Sequence, residues 1–119
     1  MKAVIYHNTK CSKSNAALNL LLEHGVQANI VNYLETPLSF GQLEILLNQL
    51  SIKAKALIRF GEPIAKELGL SSNDNRSENE WASFMIDHPI LIERPIVVIG
   101  DKAVIGRPLQ SVLDFIEHA

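Results

Sequence analysis

"KAVIYHNTKCSKSNAALNLLLEHG", residues 2–25, contains the reading on which the fold turns. "KAVIYH" is a β-branched, aromatic-bearing run and predicts a strand. From Ser12 to Glu23 the apolar residues Ala16, Leu18, Leu21 and Leu22 recur at helical spacing, and His24 followed by Gly25 makes a good helix stop. Between strand and helix stands Cys11, the only cysteine of the chain, with Lys10 and Lys13 beside it. Further on, "NIVNYL", Asn29 to Leu34, predicts a second strand. Strand, helix and strand in about thirty residues form a βαβ unit, whose strands are parallel and whose crossover is right-handed.

The pattern then changes. In "ETPLSFGQLEILLNQL" Pro37 is a breaker, Ser39 and Gln42 form a capping-box pair, and Leu43, Leu46, Leu47 and Leu50 follow at helical spacing. "GEPIAKELG" places Pro63 in a first helical turn and Gly69 at the stop. "SENEWASFMIDHP" repeats the capping box with Ser77 and Glu80, puts Trp81, Phe84 and Met85 on one face, and ends at Pro89. The stretch from 39 to 88 therefore reads as helical throughout, with "LSSNDNRSEN" an exposed turn-rich connection. Beyond it, "RPIVVIG" reads as a buried strand and "KAVIG" as a second, joined through a tight hairpin at Gly100-Asp101, and "PLQSVLDFIEHA" as a closing helix with Pro108 at its start. The order β-α-β, a helical insertion at approximately 39–88, then β-β-α is an α/β plan of thioredoxin-like type, carried by one domain over residues 1–119.

Composition bounds the function. At 47% hydrophobic and 20% charged residues, the chain has the balance of an ordinary soluble globule with its own core. A formal net charge of −2 gives no support to a nucleic-acid-binding surface. A single cysteine rules out an internal disulfide, so a disulfide-stapled secreted domain is excluded. The first apolar run is too short for a signal peptide, and no run approaches membrane-spanning length. The expectation is a cytoplasmic monomer with a free thiol, no membrane partner, no bound metal and no bound cofactor.

Cys11 is the strongest chemical feature. A thiolate at a helix N-terminus is favoured by the helix dipole and by unpaired backbone N–H groups. A cysteine that merely packs as a small hydrophobe normally has apolar neighbours, and these are polar, including two lysines. Position 14 is serine, so the motif is Cys11-x-x-Ser14, and this chain has no second thiol for a dithiol cycle. A phosphatase-type site would need arginine at position 17, which is alanine, and four dispersed histidines with one cysteine suggest no metal site. What remains is one nucleophilic thiol whose adduct is resolved by an external thiol. The loop from Asn8 to Ser14 enters the helix with N–H groups suited to an oxyanion. Arginine fits such anions with bidentate hydrogen bonds, and Arg59, Arg94 and Arg107 are the candidates, the last two each directly before a proline at a strand boundary. His7 could donate to the sulfur if protonated. The other histidines suit helix ends or the chain terminus, Arg76 reads as solvated, and Trp81, Phe84 and Met85 read as core.

Several motifs, in order along nearly the whole chain, resemble one family. They are "YHN..C" from Tyr6, "YLE.P" from Tyr33, "ALIR" from Ala56, "EP" at Glu62 followed by "LGL", "HPILI.RPIVV" from His88, and "GRP" from Gly106. In these the chain is similar to the glutaredoxin-dependent arsenate reductases and their small related homologues. The resemblance implies a thioredoxin-like fold, Cys11 as the catalytic nucleophile toward arsenate or a similar oxyanion, and Arg59, Arg94 and Arg107 as the oxyanion clamp. It also implies supporting roles for His7, Asn8 and Ser14, a cis bond at Arg94-Pro95, and glutathione as co-substrate with glutaredoxin as partner. Where the family's reductases commonly have proline and arginine, this chain has Thr9 and Asn15. Two alternatives stay open. One is a redox-responsive transcription regulator of Spx type binding RNA polymerase, although Ser14 removes the usual two-cysteine switch. The other is a monothiol oxidoreductase with a different substrate.

Overall fold

Three strand ends of this chain meet at one end of a four-stranded sheet, and that convergence places the candidate chemistry. The computed structural model describes residues 1–8 and 10–119; the departure at Thr9 lies outside them. In chain order the elements are β1 (Lys2–Tyr6), α1 (Ser12–Glu23), β2 (Gln27–Val31), α2 (Phe40–Leu50), α3 (Pro63–Glu67), α4 (Glu78–Asp87), β3 (Ile96–Ile99), β4 (Lys102–Ile105) and α5 (Gln110–Glu117). Short 3₁₀ segments occupy Ala54–Leu57 and Pro89–Leu91. Two compact units result, Met1–Thr36 with Arg94–Ala119, and Pro37–Glu93. No helix among the described residues is long and apolar enough to cross a membrane.

The first unit carries the sheet, in the order β2-β1-β3-β4. β1 and β2 run parallel, joined by α1, while β3 lies antiparallel to both β1 and β4. The helix stop read at Gly25 forms as a Schellman closure: Gly25 N–H donates to Leu22 O at 3.1 Å and Val26 N–H to Leu21 O at 3.0 Å. Gly25 sits at φ +71°, where a side chain would be strained. Ala3, Ile5 and Val97 alternate along β1 and β3 onto one face, where Ala17 and Leu21 of α1 and Val112 and Ile116 of α5 pack with them. β3 is buried along nearly its whole length, as its unbroken "IVVI" requires.

The second strand is shifted from its predicted place. It covers Gln27–Val31 rather than Asn29 to Leu34, because pairing begins at Lys2↔Gln27 and ends at Tyr6↔Val31. The chain then turns, with the Asn32 carbonyl accepting the N–H groups of Glu35 and Thr36.

The second unit is mostly helical. Both predicted capping boxes form, Ser39 with Gln42 and Ser77 with Glu80. Leu43, Leu46, Leu57, Trp81, Met85 and Leu91 are buried there, and Phe60 meets the Trp81 ring edge-on at 5.7 Å. The helical reading of 39 to 88 is interrupted at Ile58, which makes an antiparallel bridge with Ile92. Around it Arg59 N–H donates to Leu91 O at 2.7 Å and Glu93 N–H to Leu57 O at 2.9 Å. Arg76, expected to be solvated, stacks over the Phe84 ring at 5.1 Å and the Trp81 ring at 5.8 Å.

Candidate active site

The register Tyr6↔Ile96↔Ile105 brings the end of β1, the start of β3 and the end of β4 together. The segments just outside these residues are the loop leading to Cys11, the Arg94-Pro95 pair, and Gly106-Arg107-Pro108. Sequence positions 11, 94 and 107 thereby become neighbours, and both Arg-Pro bonds are cis.

Asn8 organises the loop. Its backbone N–H donates to Ser14 Oγ at 3.3 Å, its side-chain Oδ1 accepts the Lys10 N–H at 3.0 Å, and its carbonyl accepts the Cys11 N–H at 3.0 Å. The Oδ1 contact is an Asx turn, a local alternative to regular structure that asparagine is suited to make. Asn8 and Ser14 are both buried, so these bonds also satisfy groups cut off from water. The effect is to seat Cys11 in extended conformation as the N-cap of α1, whose first turn holds no acidic residue.

Burial alone would push the Cys11 thiol up, but opposing effects outweigh it and hold it below its ordinary value. They are the backbone N–H groups of Ser14 and Lys13, then the hydrogen bond and positive charge of Arg94. Arg107 adds an Nη2–H···Sγ contact at 3.5 Å while its Nε–H donates to the Arg94 carbonyl at 2.6 Å. One guanidinium thus bridges the sulfur and the backbone of the other arginine segment. Arg94 itself is buried. The thiol is partly exposed and free. A thiolate with backbone donors and two guanidinium groups around it is arranged for nucleophilic attack on an anionic electrophile.

His7 is 2% exposed, and burial pushes its imidazole down, partly offset by a hydrogen bond with Asn15. The ring therefore favours its neutral form, and the groups that lower Cys11 are backbone N–H groups and arginine. Asn15, noticed in the sequence only as a departure, is thus the partner of the buried histidine. The spacing of the two residues across a loop held no signal for it.

Arg59 is described within the second unit. Its guanidinium pairs with Glu62 at 2.8 Å and Glu93 at 3.6 Å. Arg59 and Glu62 both lie outside the helices, so helical spacing gives no signal for their pairing, and the Glu93 pairing depends on the Ile58–Ile92 bridge.

A β-α-β…β-β-α sheet with one cysteine at the N-terminus of its first helix and two arginines at that sulfur defines a thioredoxin-like protein of the single-cysteine class. The chain matches the ArsC family over residues 6–115 and belongs to that family. It is 43% identical over 109 residues to a Neisseria meningitidis serogroup A protein named arsenate reductase, across 91% of this chain and 92% of that one. It is 47% identical over 113 residues to the Escherichia coli K12 protein YfgD, which carries the name uncharacterized protein, across 94% of each chain. Among solved structures, the arsenate reductase from Vibrio cholerae superposes with a TM-score of 0.90 at 43% identity, over 96% of this chain and 97% of that one.

Proposed function

We propose that this protein is an arsenate reductase of the glutathione- and glutaredoxin-dependent type, acting as a cytoplasmic monomer without a bound cofactor. The observation that carries the reading is the seat of Cys11 at the N-terminus of α1 with Arg94 and Arg107 at its sulfur. Family membership supports the substrate class, since relatives at 43% identity are named arsenate reductases.

In this mechanism the Cys11 thiolate attacks the arsenic of a bound arsenate, forms an S–As(V) bond, and an oxygen leaves as water after protonation. Arg94, Arg107 and the N–H groups opening α1 hold the oxyanion and stabilise charge developing on it. Glutathione attacks the adduct, and glutaredoxin reduces the mixed species so that arsenite departs. Arsenic gains two electrons, two external thiols end as a disulfide, one water is released, and Cys11 returns as thiolate. The lone cysteine motivates the external reductants. His7, Asn8 and Ser14 support the loop.

A steady-state assay with arsenate, glutathione and glutaredoxin tests this. Turnover is expected to require glutaredoxin and to vanish in Cys11→Ser, with the fold retained. Turnover that survives Cys11→Ser, or ignores glutaredoxin, sinks the mechanism.

A further inference from the structure

We propose that Gly106 is a positioning residue of the cysteine site: by leaving room for the Pro95 ring, it sets how closely Arg94 and Arg107 approach Cys11 Sγ. The inference rests on the reading of Cys11 as the nucleophile.

Gly106 is buried, and its N–H donates to the Pro95 carbonyl at 2.8 Å. A Cβ at this position would stand 2.7 Å from Pro95 Cγ, 3.4 Å from Pro95 Cδ and 3.0 Å from Val112 Cγ2. At every other glycine of the chain an added Cβ meets nothing closer than 3.9 Å. Gly106 is therefore the one glycine that a close approach demands.

The obstructing atom decides what a side chain here would do. A proline ring is closed onto its own backbone and cannot rotate aside as a flexible side chain can. Moving Pro95 away from position 106 moves the Arg94 carbonyl with it. That carbonyl is the acceptor that holds Arg107 Nε at 2.6 Å, and the same guanidinium reaches Cys11 Sγ through Nη2 at 3.5 Å. Three adjoining contacts thus run from Gly106 to the sulfur. A shift of a few tenths of an ångström at the first weakens the last, because hydrogen bonds lose strength steeply with distance and angle. Among the described residues, Arg94, from the segment before β3, and Arg107, from the segment after β4, bring charge to the sulfur; Lys10 and Lys13 flank Cys11 in sequence, and α1 contributes backbone N–H groups and no acid in its first turn. Both arginines answer to the same glycine.

The test is the pH profile of Cys11 alkylation by iodoacetamide. It needs no arsenate, so its failure is separate from a failure of the reductase reading. In Gly106→Ala the midpoint should rise and alkylation at neutral pH should slow by roughly tenfold, the scale of one weakened charge-assisted hydrogen bond. In a protein already carrying Arg94→Ala and Arg107→Ala, Gly106→Ala should add nothing, as expected of groups acting in series. Val112→Ala with Gly106→Ala removes the contact to α5 and keeps the contact to Pro95, so the raised midpoint should persist. The assignment is overturned by a wild-type midpoint in Gly106→Ala, by a shift that survives loss of both arginines, or by a midpoint restored through Val112→Ala. Failure of both alanine variants to fold also overturns it, by making Gly106 a packing residue.

Discussion

The arginines of the two units are held in opposite ways. In Pro37–Glu93, Arg59 pairs with Glu62 and Glu93, and Arg76 pairs with Asp74 at 3.4 Å and Glu80 at 3.9 Å while covering two aromatic rings. Guanidinium charge there meets carboxylate at half-buried sites, where each pair adds little stability. In the sheet unit, Arg94 and Arg107 direct their donors to a sulfur and a backbone carbonyl. The buried residues divide similarly: among the described residues, His7, Asn8, Ser14 and Arg94 are the buried polar ones, and all belong to the sheet unit. Burying polar groups costs stability unless each finds a partner: Asn8 and Ser14 bond each other, while burial still disfavours the charged form of His7. Both units bury apolar residues, but in the helical unit the buried side chains are apolar alone among the described residues.

The largest expected effect probes the helical side of this contrast. Trp81 is 2% exposed, meets Phe60 edge-on and lies under Lys55 and Arg76. Trp81→Ala should cost about 3–5 kcal/mol in urea unfolding, through lost burial and the cavity left behind. The groups that set the Cys11 thiol all lie in the sheet unit, so its alkylation midpoint should not move while the protein remains folded. A shifted midpoint in folded Trp81→Ala breaks the division of labour.

Much of this organisation was legible in the residues. Local signals sufficed for α1 and its Gly25 stop, both capping boxes, the Gly100-Asp101 hairpin and the cysteine at a helix start, because each depends on neighbours a few positions away. What escaped depends on pairing between distant segments. The register that ends β2 at Val31 is fixed by β1, the bridge at Ile58 by Ile92, and the closeness of Gly106 to Pro95 by the β3–β4 pairing. Arg76 read as solvated because no local spacing shows that Trp81 and Phe84 lie beneath it.

A smaller effect sharpens the arginine contrast. Arg94→Ala removes a guanidinium that acts on both the thiol and, in the proposed mechanism, the oxyanion. It should weaken arsenate binding by roughly 10- to 100-fold, the worth of a hydrogen bond to a charged group, and raise the alkylation midpoint as well. Arg59→Ala removes a guanidinium whose charge Glu62 and Glu93 already share, and should leave the midpoint in place. Kinetics and alkylation measured on the same two proteins check this. An Arg59→Ala midpoint that rises as far as that of Arg94→Ala erases the distinction.

The smallest effect concerns the cost of the sheet unit's buried polar groups, and His7 isolates it. Burial lowers its folded pKa below the ordinary value of about 6.5, and the Asn15 hydrogen bond only partly offsets this. In the window just below that ordinary value, the unfolded chain binds a proton that the folded chain does not. Stability therefore rises with pH across the window, and it falls as acid is added until the lowered folded pKa is passed. His7→Gln cannot take up that proton, so the difference between its urea midpoints at pH 5 and pH 7 should be smaller than in the parent protein. Asn15→Ala deletes the one contact that raises the folded pKa, so the acid-sensitive window should extend further downward. Equal acid sensitivity in His7→Gln and the parent would place the cost on other groups. A narrower window in Asn15→Ala would mean that the asparagine favours the neutral ring and adds to the effect of burial.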